Sequence, residues 1–183
     1  MRVTTLLAAV AVSTGAASAQ FFSEIESNNT LATANFVGAF GVPGGSVLVD
    51  GAIGLGDADW FSFTLTDTAS LAVFAGFSST AGADGVMQLV DSNGIVIGFD
   101  DDNGVGLMPA LQVESLAAGT YYVGISGFGD SFSSSVGTTD VFDGLGHEET
   151  FVYKLTIAAT VVPAPASLAM LGLGGAFATR RRR

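Results

Sequence analysis

The acidic side chains of this chain come in spaced pairs, and spaced oxygen donors are what a hard cation or a carboxylate-based hydrolysis needs. Asp57 and Asp59 stand two positions apart in Gly56-Asp57-Ala58-Asp59-Trp60-Phe61-Ser62-Phe63. In an extended segment, residues with that spacing project from the same side. Upstream, Glu24 and Glu26 repeat the spacing, Asn28 continues their row, and Asn29 adjoins it. Calcium takes about six to eight oxygen ligands in a flexible arrangement, so the two groups together make one candidate site. A solvated acidic turn is the competing reading, and spacing does not separate the two. A second group, Asp100, Asp101, Asp102 and Asn103, follows a strand and reads first as a solvated β-turn. Neither group has the EF-hand layout of alternating ligands, a central glycine and a late glutamate.

Other chemistries lack their parts. His147 is the only histidine, and it falls in a long acidic, glycine-rich stretch away from any serine on a structured turn. Gly124-Ile125-Ser126-Gly127-Phe128 fails the Gly-x-Ser-x-Gly pattern because Phe128 occupies its last position. His147-Glu148-Glu149-Thr150-Phe151 lacks the second histidine of His-Glu-x-x-His. There is no cysteine, so the usual zinc and copper donor sets are missing as well. Paired carboxylates can serve a glycosidase, but acidic residues gathered at strand ends more often hold calcium or water. The sequence therefore reads as non-catalytic.

The elements that must position these residues are strands. Phe61, Phe63 and Leu65 alternate with Trp60, Ser62 and Thr64, which sends the phenylalanines to the core and the other row to the opposite face. Residues 46–53, 70–77, 111–113, 120–126 and 151–157 alternate similarly. Residues 86–90 and 95–99 flank Asp91-Ser92-Asn93-Gly94, a hairpin signal, because Asn-Gly tolerates the positive φ of a tight turn. Residues 30–36 fit either a helical turn or a first strand, and 38–45 read as loop. The stretch 127–149 is much longer than an ordinary loop; it fits a mobile insertion or a poorly marked strand near 136–141. Tyr121 and Tyr122 point to opposite faces, so at most one offers a stacking surface and core packing is the expected role. No window of the central region shows an apolar period of 3.6. The prediction is an all-β fold, a single β-sandwich of about seven to nine strands with jelly-roll or Greek-key connections.

The two ends read as addresses. Residues 1–19 join a basic start, an apolar run and Ala17-Ser18-Ala19, the layout of a cleaved signal peptide. Residues 161–183 join Val162-Pro163-Ala164-Pro165 to a short apolar segment, expected to be helical, and to Arg180, Arg181, Arg182 and Arg183. That apolar segment is shorter than the about 20 residues a comfortable spanning helix needs, and its arginines would stay cytoplasmic. This layout resembles the PEP-CTERM tails of bacterial exosortase substrates, with Ala164 where those tails have glutamate. The resemblance implies an exosortase-like sorting protease as partner and transient anchoring in the inner membrane. Residues 20–160 are then the domain itself. All 17 acidic residues lie inside it against Lys154 alone, leaving 16 net negative charges. So acidic a surface repels nucleic acid and anionic lipid, and neutralising cations would relieve its self-repulsion.

Glu24-Ile25-Glu26-Ser27-Asn28-Asn29, then Asp57-Ala58-Asp59-Trp60-Phe61-Ser62-Phe63, then Leu116-Ala117-Ala118-Gly119-Thr120-Tyr121-Tyr122-Val123 resemble, in order, the bacterial pre-peptidase C-terminal (PPC) domain. The resemblance runs through most of residues 22–158. It implies a β-sandwich accessory domain in which the first two segments jointly hold calcium, here through Glu24, Glu26, Asn28, Asp57 and Asp59. Asn29 stands where collagenase-associated members have aspartate, which keeps a carbonyl oxygen and removes one charge. It also implies that Trp60 packs over the N-terminal segment and shields the site. The expected function is an exported, calcium-stabilised accessory domain of the bacterial cell surface or extracellular matrix. The alternatives are a module binding polysaccharide or a matrix protein, for example through 127–149, and a carboxylate-based hydrolase.

Overall fold

A computed structural model describes residues 19–130 and 136–161. The signal-like segment 1–18 and the tail 162–183, with its expected helix, lie outside the described residues. Among the described residues, ten strands form two five-stranded sheets. They are β1 (Ala19–Ser23), β2 (Asn35–Phe40), β3 (Gly44–Ile53), β4 (Ala58–Leu65) and β5 (Ala69–Phe77), followed by β6 (Gly85–Asp91), β7 (Val96–Asp100), β8 (Ala110–Leu116), β9 (Gly119–Gly127) and β10 (Phe151–Val161). One sheet runs β1-β3-β10-β5-β8 and the other β2-β4-β9-β6-β7. No helix occurs among the described residues, so none is long and apolar enough to cross a membrane.

Alternation decides the layers. Val47, Val49, Leu71, Val73, Leu155 and Ile157 of the first sheet meet Phe61, Phe63, Leu65, Val123 and Ile125 of the second, all buried. The aromatic centre of this core is Phe63, whose ring lies 5.9 Å from both Phe40 and Tyr121, a spacing at which aromatic pairs attract beyond their area. Tyr121 faces inward and its hydroxyl donates to the Ala117 carbonyl at 2.9 Å, so its polar tip is satisfied without leaving the core. The β6–β7 hairpin turns as the Asn-Gly signal requires. Asp91 Oδ1 accepts from Asn93 N and Ile95 N, and Gly94 sits at φ +78°, a region that glycine enters without steric cost.

The structure departs from the sequence reading in three places. Residues 35–40 form β2, a parallel edge strand on β4: residues 35–36, expected as helical turn or strand, and 38–40, expected as loop, join it because Val37 and Phe40 can both bury. With β1, parallel to β3, this gives ten strands where seven to nine were expected. Both added strands sit at sheet edges, where one row of hydrogen bonds suffices and the pattern is weakest. Third, residues 136–150 are neither strand nor loose insertion. They fold across the outer face of the second sheet: Phe142 is buried against Trp60, Ala58, Val86, Val90 and Val96 in a second apolar cluster. Gln88 fixes this cover from the sheet, its amide donating to the Asp140 carbonyl and accepting from Phe142 N. Backbone bonds between Val96 and residues 137–138 fix it along β7. Trp60, predicted to face away from the core, does so and is nonetheless fully buried.

Candidate metal centre

The first turn of β4 brings the candidate residues together. β1 lies parallel on β3, and Glu24, immediately beyond it, continues the pairing by donating its N–H to the Asp50 carbonyl at 3.0 Å. The chain then crosses to β4, where Trp60 N donates to the Asn28 carbonyl at 3.0 Å. These two bonds place residues 24–28 across the end of the sandwich, over the point where Asp59 enters the space between the sheets on the same face as Phe61 and Phe63. The Glu26–Ser27 peptide bond is cis.

Oxygens of Glu24, Glu26 and Asp59 converge to within 4.8 Å of one another. Asp59 is completely buried, Glu24 half-buried and Glu26 exposed, so the cluster opens to solvent on the Glu26 side. Asn28, also completely buried, completes the group. The terminal amide atom that faces the carboxylates lies 3.2 Å from Glu26 Oε2 and 3.0 Å from Asp59 Oδ1. As nitrogen it donates to both; as the carbonyl oxygen it is a fourth oxygen beside three carboxylates, an arrangement that a cation or a shared proton reconciles. The two states differ by a half-turn of one amide.

Second partners orient the carboxylates. Ala52 N donates to Glu24 Oε1 at 2.9 Å. The Tyr153 hydroxyl, buried in β10, donates to Asp59 Oδ2 at 2.6 Å and lies 3.3 Å from Glu24 Oε2. Gly51 is the floor: a Cβ there would collide with the Tyr153 ring and the Glu24 carboxylate. Burial, then the Glu24 charge, pushes the Asp59 carboxyl up to about 10, with the Tyr153 bond opposing. Burial also raises Glu24, opposed by its bonds to Asp59 and Ala52. Burial beside these acids holds the Tyr153 hydroxyl well above its ordinary value. Lys154, the one lysine or arginine among the described residues, is paired with Asp50 instead. The cluster therefore needs a proton or an external cation, and its all-oxygen donor set, part buried and part open, fits calcium.

Of the six predicted residues, Glu24, Glu26, Asn28 and Asp59 form this cluster. Asn29 and Asp57 pair with each other: Asn29 Nδ2 donates to Asp57 Oδ1 at 2.7 Å, and Gly54 N donates to Asp57 Oδ2 at 3.0 Å. Asp57 thus closes the turn before β4 and ties the N-terminal segment to it. Trp60 does not place its ring over the carboxylates; the ring lies on the other face of β4, 6.0 Å from Phe142, with its indole N–H donating to the Phe142 carbonyl at 3.3 Å.

Tyr153 and Gly51 were missed by sequence reasoning. One signal was present: Tyr153 falls in the inward row with Leu155 and Ile157, and a hydroxyl in a core row must find an acceptor. The second acidic group also rearranges. Asp100 turns inward as an acceptor for Asn103 N and Ala110 N, while Asp101 and Asp102 gather with Asp84, their oxygens within 4.8 Å of one another. Burial, then the neighbouring acids, raises the Asp84 and Asp101 carboxyls. His147, expected in a mobile stretch, is buried, its Nε2 donating to the Asp57 carbonyl at 2.9 Å.

A groove of about 470 Å³ lies beside the cluster, lined by Ser23, Glu24, Asp50, Ala52, Tyr153 and Lys154 among others.

Residues 57–127 match the sequence model of the family described as bacterial pre-peptidase C-terminal domain. Among solved structures, the chain is similar to the pre-peptidase C-terminal domain of collagenase from Bacillus anthracis, at 14% identity and a TM-score of 0.43, over 68% of this chain and 93% of that one. It is also similar to PliG of Aeromonas hydrophila, a periplasmic inhibitor of g-type lysozyme, at 11% identity and a TM-score of 0.41, over 79% of this chain and 100% of that one. No curated protein sequence matches it.

Proposed function

We propose that this chain is an exported, non-catalytic accessory domain whose sandwich is stabilised by calcium held at Glu24, Glu26, Asn28 and Asp59, and that it acts at the bacterial cell surface or in the extracellular matrix. The observation that carries the reading is the convergence of three carboxylates and a buried carboxamide on a spot with no basic side chain to neutralise them. When bound, calcium supplies a divalent charge that several mutually repelling oxygens can share. The residues do the rest. Glu24 and Glu26 carry the segment after β1, Asp59 carries β4, and Asn28 turns its amide to suit; Tyr153 and Ala52 N hold the carboxylates in place.

Asn29 and Asp57 support the same clasp from outside it. The match of residues 57–127 to a family of pre-peptidase C-terminal domains supports an accessory role. The short distances among the carboxylates speak against a glycosidase, whose acid pair stands about 5–9.5 Å apart across an open groove. Secretion through residues 1–19, and sorting of the tail by an exosortase-like protease, belong to the same proposal and rest on the sequence of the two ends. An exported protein lacking residues 166–183 by intact mass would support that sorting; an untrimmed one would sink it.

The deciding experiment is a thermal melt of the full chain with calcium and with chelator, beside isothermal titration with calcium chloride. A rise in midpoint that disappears in Asp59→Asn supports the reading. Absence of both heat and shift refutes it. The groove beside Glu24 favours a second reading, a module that binds polysaccharide or a matrix protein there; a glycan array with and without calcium separates the two.

A further inference from the structure

β4 carries the metal cluster on one face and the 136–150 cover on the other. Asp59 points between the sheets, and the next residue, Trp60, points under Phe142. Asp57, at the turn before them, touches both sides. Its carboxylate holds Asn29 and Gly54 N. Its carbonyl accepts from His147 Nε2 at 2.9 Å and lies 3.2 Å from Ser126 Oγ. The same serine donates to the buried Asp130 at 2.6 Å, and Asp130 also accepts from Gly144 N at 3.0 Å. Gly144 is packed so closely on this turn that a Cβ would meet Asp57 N at 2.7 Å and Gly56 C at 2.8 Å. One short turn is therefore the common anchor of the N-terminal segment and of the cover.

We propose that calcium occupancy and closure of residues 136–150 over Trp60 are coupled through Asp57, so that losing the cation loosens the cover on the opposite face of the sheet. This rests on the calcium reading above. Without the cation nothing bridges Glu24 and Glu26 to Asp59, and residues 24–28 loosen on β4. Asn29 then leaves Asp57, Asn28 releases Trp60 N, and the turn that positions the Asp57 carbonyl loses its outer support. His147 holds the cover only where that carbonyl stands. Coupling of this kind is reciprocal: the cover must raise calcium affinity by the same factor by which calcium favours its closure. Opening the cover would bare Trp60, Val86, Val90 and Val96, an apolar face that calcium keeps closed.

The chain contains one tryptophan, and it lies beneath the cover, so the protein carries its own reporter. The experiment uses the full chain in calcium chloride and in chelator. It measures calcium affinity by titration, acrylamide quenching of Trp60, and hydrogen exchange at Gly137, Phe142 and Gly144. The expected result is quenching and exchange faster in chelator by at least about 5-fold, the lower end of usual coupling factors. His147→Ala, which touches no carboxylate of the cluster, should weaken calcium binding by a matching factor. Calcium binding with unchanged quenching and exchange overturns the coupling and leaves the metal reading intact; no calcium binding at all removes both. Should His147→Ala fail to fold, the comparison of the unmodified chain with and without calcium still decides.

Discussion

The Asp59 carboxyl gives the sharpest quantitative expectation. In the absence of a cation it retains its proton in the folded protein up to about 10, whereas the unfolded chain gives it up near the ordinary value of 3.8. Between those values the folded state binds more protons than the unfolded one, so stability is highest below the lower value and is lost as pH rises toward the upper one. One retained proton corresponds to about 1.4 kcal/mol per pH unit. From pH 6 to pH 8 in chelator, the chain should lose a few kcal/mol, on the order of several °C in melting point for a domain of this size. Asp59→Asn removes the charge at nearly constant shape, so its melting point in chelator should change much less over the same range. It should exceed that of the unmodified protein at pH 8. With calcium the cluster is neutralised without a proton, so the midpoint difference between calcium and chelator should widen from pH 6 to pH 8. The assay is differential scanning calorimetry at three pH values, with and without calcium, for both proteins. Equal pH slopes for the two proteins in chelator would refute the argument, because the lost stability would then lie in other acids.

Three further outcomes follow from particular contacts. Gly51→Ala puts a methyl group into the Tyr153 ring and the Glu24 carboxylate, so urea unfolding should show a loss of about 1–3 kcal/mol and titration a weaker calcium affinity. Asp100→Ala removes the acceptor for the N–H groups of exposed Asn103 and half-buried Ala110, a loss of about 1–3 kcal/mol carried mainly by Ala110, while calcium affinity at the Glu24 cluster should not change. Lys154→Met breaks the ion pair with Asp50, but both side chains are more than a third exposed (44% and 39%), so the stability change should stay below about 1 kcal/mol and shrink further in salt; a larger loss in urea unfolding would contradict this.

How much of the site was legible depends on which signals are local. Glu24, Glu26 and Asn28 share a row because period-two spacing places them there, and Asp59 sits at the start of a strand whose phenylalanine row enters the core. Spacing could not distinguish Asp59 from Asp57. Both look alike in sequence, yet one faces the space between the sheets and the other closes a turn onto Asn29. Tyr153 is 94 residues from Asp59, and no local pattern spans that distance. The same holds for Asp84, which joins Asp101 and Asp102 only because Asp84 bridges to Leu107.

By itself, the sequence determined the layers: alternation in β3, β4, β5, β9 and β10 dictates which side chains bury, and Asn-Gly dictates the β6–β7 turn. It also determined the electrostatic problem, since 17 acidic residues and one lysine within the central region leave any acidic cluster without an internal counter-ion. Tertiary structure decided where that problem is concentrated. Parallel edge strands β1 and β2 carry the N-terminal segment across the end of the sandwich. The 136–150 segment became a cover instead of a loose loop because Trp60 and Phe142 bury more apolar surface together than either can alone. Whether an aspartate is solvated or desolvated is a property of what lies opposite it. Strand order and register set that, and no neighbouring residue in the chain can.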